Sequence, residues 1–224
     1  MRERTTPRWS RIFWWLLPAI IVLATACSAT PNNEGPSETS FGSSDDLDGY
    51  NGLLLEPLEP APDFVMEDQH GQPFRLSERG GRAVLMFFGY TNCPDVCPTT
   101  LADYVQVREN LGDRAEEMDF VFISVDADRD TPDAIVEFLG HFDPTFIGLR
   151  AEDDQALDDV KASYGVYSNA LTEGDQRETE RLDQYLVAHS DHSFLVDPKG
   201  QLAVLYRYAT PPSEIAEDIE KVLS

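Results

Sequence analysis

Positive charge is scarce in this chain. Its 224 residues carry 17 Lys and Arg against 41 Asp and Glu, a formal net charge of −24, and its lysines are Lys161, Lys199 and Lys221 alone. Such a chain lacks the basic footprint that nucleic-acid binding needs. It also lacks the polybasic patch that docks on anionic lipid headgroups. Cysteine is equally scarce: three residues exclude a disulfide-framework scaffold. Hydrophobic residues are not scarce. At 42% of the chain, with 10% aromatic, they suffice for a core and exclude disorder throughout. The length suits one compact domain with extras, or two small domains.

The charge is unevenly placed. Arg2, Arg4, Arg8 and Arg11 face a single acid, Glu3, within residues 1–26, which leaves −27 for the remainder. All the tryptophans (Trp9, Trp14, Trp15) lie there too. An uncharged stretch from Ile12 to Thr25, broken by Pro18, follows the arginines and runs into Leu23-Ala24-Thr25-Ala26-Cys27. A basic start, a short apolar run and small residues before a cleavage point describe an export signal. The run is short for a membrane span, which needs about 20 residues. Small residues directly before Cys27 resemble the lipobox of bacterial lipoproteins, with Leu23 one place earlier than usual. That resemblance implies a lipidated Cys27 as the first mature residue; the other readings are an uncleaved signal anchor or ordinary cleavage with Cys27 free. Each of them places the rest of the chain outside the cytoplasm, on a membrane. Residues 27–55 hold Pro31-Asn32-Asn33-Glu34-Gly35-Pro36-Ser37 and Gly42-Ser43-Ser44-Asp45-Asp46, a flexible acidic tether by composition. The folded domain is expected at 56–224.

Within that domain, Asp63–Met66 and Phe74–Leu76 flank the turn Gln69–Gln72 and read as a hairpin. Ala83–Phe88 and Asp119–Asp126 are apolar enough for buried strands, and Phe146–Leu149 for a shorter one. Helices are expected at Thr99–Leu111, after a Thr131 cap with Pro132 at the first position, at Asp153–Tyr164 and at Pro211–Leu223. Asp197-Pro198-Lys199-Gly200 turns a closing hairpin between Phe194–Val196 and Leu202–Tyr206, and Gly174–Asp183 is a polar acidic loop. Strand and helix alternation puts helices on both faces of a largely parallel sheet. The predicted class is α/β, a thioredoxin-like three-layer sandwich with an N-terminal hairpin.

Cys93 and Cys97 lie between a buried strand and a helix, in Gly89-Tyr90-Thr91-Asn92-Cys93-Pro94-Asp95-Val96-Cys97-Pro98. With Pro98 at the first helical position, Cys97 falls at the N-cap, where free amides and the helix dipole favour a thiolate. Such thiolates are good nucleophiles and good soft-metal ligands. A merely structural disulfide is the weaker reading, because so short a loop restrains the unfolded chain little. Two thiolates can hold a cuprous ion, and a third donor adds selectivity. His70 and His141 suit solvated surface positions. His189 and His192 enter a strand of the closing hairpin with opposite parity, so only one of them faces the cysteines there. Spacing does not choose between them. Asp126, Asp128 and Asp130 lack the Gly and distant Glu of a calcium loop, and suit a role in fixing the loop after their strand.

Phe88–Pro98 resembles the CxxxCP signature of the Sco/SenC family. Ser124-Val125-Asp126-Ala127-Asp128-Arg129-Asp130-Thr131-Pro132 is similar to its SVDPxRDTP block, and Tyr185–Gly200 to its YxVDHS segment and DPxG turn. The resemblance spans residues 64–223 and implies that His189, eight residues before Asp197, is the third ligand. His192 is then a bystander or an alternative ligand. The family usually has Asp where this chain has Ala188, and Asp191 is a candidate substitute for orienting the imidazole.

What the resemblance implies is a membrane-anchored, extracytoplasmic protein that binds one copper ion through Cys93, Cys97 and His189. Its partner is then the copper-receiving subunit of cytochrome c oxidase, whose dinuclear centre it helps to assemble. The rival is a thiol-disulfide oxidoreductase that keeps partner cysteines reduced, with Cys93 and Cys97 as the redox pair. A peroxidase is a third and weaker reading, without any signature beyond the two cysteines.

Overall fold

The computed structural model describes residues 49–171 and 186–224. The export segment 1–26, the Cys27 lipidation site, residues 28–48 of the tether and the loop Gly174–Asp183 lie outside the described residues. No helix among the described residues is long and apolar enough to cross a membrane.

The centre is β4, Ala83–Gly89, buried along its whole length. It pairs in parallel with β5, Met118–Ser124, from Ala83↔Met118 through Gly89↔Ser124. Strands covered on both faces read as unbroken apolar runs, as these do. β6, Ile147–Arg150, extends the parallel part beyond β5. On the other side of β4 come β9, Ser193–Val196, and β10, Gln201–Tyr206, the expected closing hairpin. Its turn is held by Asp197 Oδ1, which accepts from the amides of Lys199 and Gln201. The N-terminal hairpin, β2 (Val65–Asp68) with β3 (Pro73–Arg75), joins the sheet through β6. Gln69 secures that junction: its Nε2 donates to the Phe146 carbonyl and its Oε1 accepts from the Gly148 amide, both at 2.9 Å.

The helices cover both faces. α1 (Val96–Leu111) and α2 (Pro132–Gly140) follow β4 and β5, α3 (Asp154–Ser163) follows β6, and α4 (Pro212–Val222) closes the chain. Adjacent strand residues point to opposite faces. Accordingly Phe87 meets Tyr104 of α1 at 5.5 Å between ring centroids, while Phe88 meets Tyr164, at the end of α3, at 6.0 Å. Phe122 meets Phe138 of α2 at 5.8 Å, and α4 packs beside α1. Thr131 caps α2 as its sequence implies, accepting from the Ala134 amide at 3.2 Å with Pro132 next. Asp153 caps α3 through the Ala156 amide at 2.8 Å. The thioredoxin-like three-layer arrangement is therefore present.

Three features depart from the sequence reading. The sheet begins earlier than residue 56: β1, Leu53–Pro60, is an edge strand antiparallel to β10. Proline is tolerated at Pro57 and Pro60 because an edge strand has one side without ladder bonds. A separate two-stranded ribbon, β7 (Ser168–Leu171) with β8 (Leu186–His189), sits between α3 and β9. His189 thus ends a ribbon strand, and the closing hairpin starts only at Ser193. α1 starts at Val96 with Asp95 at the N-cap, which puts Cys97 at its second position and Pro98 at its third. A proline fits anywhere in the first turn, where amides have no intrahelical partner.

The start of β1 is fastened by a buried charge. Asp218 of α4 is fully buried and accepts from the amides of Asn51 and Gly52, each at 2.9 Å, and from Lys221 Nζ at 2.9 Å. Gly52 is needed for this approach, since a Cβ there would lie 2.4 Å from Val204 Cγ1. Replacing Asp218 by Ala strands the two amides. Urea unfolding of Asp218→Ala is expected to show a loss of about 2 kcal/mol with an unchanged slope.

Candidate metal centre

The cysteine loop leaves β4 at Gly89 and enters α1. Cys97 is fully buried in the first turn of α1, directly against Gly89: a Cβ on that glycine would stand 2.8 Å from Cys97 Sγ. Cys93 is half-buried in the loop before the helix. Its amide donates to the Tyr90 carbonyl at 3.2 Å, and its Sγ accepts from the Cys97 amide at 3.4 Å. The free amides at the start of α1 therefore serve Cys93, which corrects the expectation that Cys97 holds the favoured position. Neither is in a disulfide.

The two sulfurs differ in ionisation. Hydrogen bonding from the Cys97 thiol, helped by His189 and the amides of Asp95 and Cys97, overcomes burial and brings Cys93 down to about 3. Cys97, donating to Cys93 and cut off from water, is pushed far up. The environment thus favours negative charge on the outer sulfur, Cys93, and the proton on the inner one, Cys97. Burial works against charge on His189, but the hydrogen bond to Cys93, the Ser190 carbonyl and the charges of Cys93 and Asp191 raise its pKa overall.

His189 arrives from the end of β8. Its Nε2 lies 3.5 Å from Cys97 Sγ, and the donor atoms of Cys93, Cys97 and His189 all lie within 4.8 Å of one another. Tyr90, itself buried, meets the imidazole edge-on at 5.7 Å between centroids, and the Arg129 guanidinium lies 5.7 Å from the centre of the Tyr90 ring.

The cysteine loop is held from below by Asp130, which is fully buried. Asp130 accepts from the Thr91 amide at 3.1 Å, Thr91 Oγ1 at 2.6 Å and Ser124 Oγ at 2.6 Å. Its burial raises its pKa, against the pull of those bonds. Asp126 pairs with Arg129 at 2.5 Å, and Asp128 is exposed. Asp126 and Asp130 thus fix loops, as their sequence suggested, and one of those loops is the cysteine loop itself. Asp130, Thr91 and Tyr90 were not singled out as site residues; the signal was their place within the motif blocks.

The other candidates lie apart. His70 and His141 are exposed. His192 stands outside the three-donor group, with its Nδ1 3.7 Å from the exposed Asp191 carboxylate. The parity choice between His189 and His192 dissolves, because β8 ends at His189 and residues 190–192 are not strand.

A family model described as SCO1/SenC matches residues 55–224. The chain belongs to the SCO1/SenC family. An SCO2-like protein of Rickettsia conorii is 35% identical over 171 residues, 76% of this chain and 80% of the relative. The structure of ScoI from Bradyrhizobium japonicum with copper bound is similar at a TM-score of 0.64 and 32% identity, over 73% of this chain and 99% of that one. The apo Sco1 structure from Thermus thermophilus gives 0.66 and 32%, over 77% and 96%.

The charge asymmetry of the pair is open to direct measurement. Iodoacetamide should alkylate Cys93 and spare the buried Cys97. An ordinary thiol gains about tenfold in rate per pH unit below its pKa, whereas Cys93, already ionised, should react at a nearly constant rate from about pH 5 to about pH 8. A rate that climbs across that range would show that Cys93 is an ordinary thiol.

Proposed function

We propose that this protein is an exported, membrane-anchored metallochaperone that carries one copper ion on Cys93, Cys97 and His189 for assembly of the dinuclear copper centre of cytochrome c oxidase. The observation that carries the reading is the convergence of two sulfurs and one imidazole nitrogen within 4.8 Å, drawn from segments 92 residues apart. Two sulfurs and one nitrogen are a soft donor set suited to three-coordinate Cu(I). The relative from Bradyrhizobium japonicum holds copper on the same fold. Oxidase assembly is the role the family resemblance implies. The basic export segment and Cys27 support attachment to the outer side of the cell membrane.

The unequal burial of the donors suggests an order of release. Cys93 and His189 are half-buried and can be replaced first by incoming partner ligands, while fully buried Cys97 lets go last. Loading requires both cysteines reduced, so a Cys93–Cys97 disulfide switches the site off.

Reduced full-length protein in detergent is expected to bind one cuprous ion per chain. His189→Ala should weaken binding by at least about tenfold, because even partners behind a metal ligand are worth that much. His192→Ala should leave binding unchanged. Competition with a chromophoric cuprous chelator measures both, and wild-type affinity in His189→Ala would remove that residue from the site.

The exposed thiolate and buried thiol also favour a second reading, reduction of a partner disulfide. Cys93 thiolate attacks one partner sulfur, forming a mixed disulfide and releasing the other partner sulfur as thiolate. Cys97 then loses its proton and attacks Cys93, releasing the second partner sulfur. Two electrons pass to the partner, and the Cys93–Cys97 disulfide remains. Exposing a copper-free oxidase subunit separately to the copper-loaded protein and to its reduced copper-free form decides between the two. Restoration by the loaded form alone supports copper delivery. Conversion of oxidised subunit thiols by the copper-free form supports reduction.

A further inference from the structure

The imidazole of His189 is oriented by the main chain. Its Nδ1 lies 2.8 Å from the carbonyl oxygen of Ser190. A carbonyl oxygen has no proton to give, so this contact requires the hydrogen on Nδ1 and, in the neutral ring that binds a metal, leaves the lone pair on Nε2. Nε2 is the nitrogen that faces Cys97 Sγ.

For the carbonyl to fix the ring, residue 190 must itself be fixed. Ser190 does this with two bonds to one residue. Its amide donates to the Tyr167 carbonyl at 2.9 Å, and its Oγ accepts from the Tyr167 amide at 3.0 Å. These bonds lie one step beyond the last ribbon pair, Ser168↔His189. The serine hydroxyl extends the β7–β8 ladder by one rung with a side-chain acceptor. Neither nearby carboxylate position serves this purpose. Residue 188 is alanine, and the Asp191 carboxylate is exposed beside His192.

We propose that Ser190 is a positioning residue for the metal centre: its hydroxyl clamps residue 190 onto Tyr167, so that the Ser190 carbonyl holds the imidazole with Nε2 free toward Cys97. This rests on the reading of His189 as a copper ligand.

The test uses reduced, copper-free, full-length protein with ¹⁵N-labelled histidine, at an alkaline pH where the His189 nitrogen shifts no longer change and the ring is neutral. The nitrogen shifts of His189 should show a single tautomer, with the proton on Nδ1. Ser190→Ala should give a mixture of tautomers and about tenfold weaker cuprous binding. Ser190→Thr, which keeps the hydroxyl, should retain both properties, and so should Asp191→Asn. A single Nδ1–H tautomer with full affinity in Ser190→Ala overturns the proposal. So does loss of both in Asp191→Asn, which would make the carboxylate the orienting group. A His189→Ala variant that binds copper like the wild type sinks the ligand reading instead, whatever Ser190 does.

Discussion

The buried carboxylate of Asp130 is the constraint on which the site depends. It stands on the loop after β5, yet two of its three nearest hydrogen-bond donors belong to Thr91, in the loop after β4. The third is Ser124, the last residue of β5. An unpaired carboxylate at zero exposure would be costly, so the two loops must close on it together. Parallel pairing of β4 with β5 brings the loops to the same end of the sheet. Asp130 converts that proximity into a fixed spacing. Cys93 lies two residues beyond Thr91 and inherits the placement.

The chemical parts were legible in the sequence, and their junctions were less so. The apolar run Ala83–Phe88, the Thr131-Pro132 cap and the Asp197–Gly200 turn each rest on local chemistry, and each is in place. β1 was missed because Leu53–Pro60 looks like tether: two prolines and two acids in eight residues suit an edge strand as well as a linker. The β7–β8 ribbon was missed because its strands have four residues each and find each other across a long gap. Composition carries no signal for that pairing. Its absence from the sequence reading led to a parity argument for His189 and His192 that the chain does not obey.

The sequence named both cysteines, but reading Pro98 as the first helical residue put the free amides of the helix at Cys97 rather than at Cys93. Pro98 satisfies the same steric rule at the third helical position as at the first, so the helix could begin two residues earlier than expected. That shift places Cys97 inside the helix, with its amide aimed at Cys93. A difference of one half-turn in a helix start thus decides which sulfur faces outward and accepts from the helix amide.

The attachment of Asn51 and Gly52 to Asp218 has a mechanical side. Gly52 directly precedes β1, and the entering chain is tied there to α4 before its ladder with β10 begins. Tension on the chain before Asn51 therefore falls first on α4, through Lys221 at Gly49 and then the buried Asp218, and α4 packs beside α1, the helix that carries Cys97. The load path from the N-terminal segment into the domain leads to the layer of helices that supports the cysteine pair, and only afterwards to the edge strand.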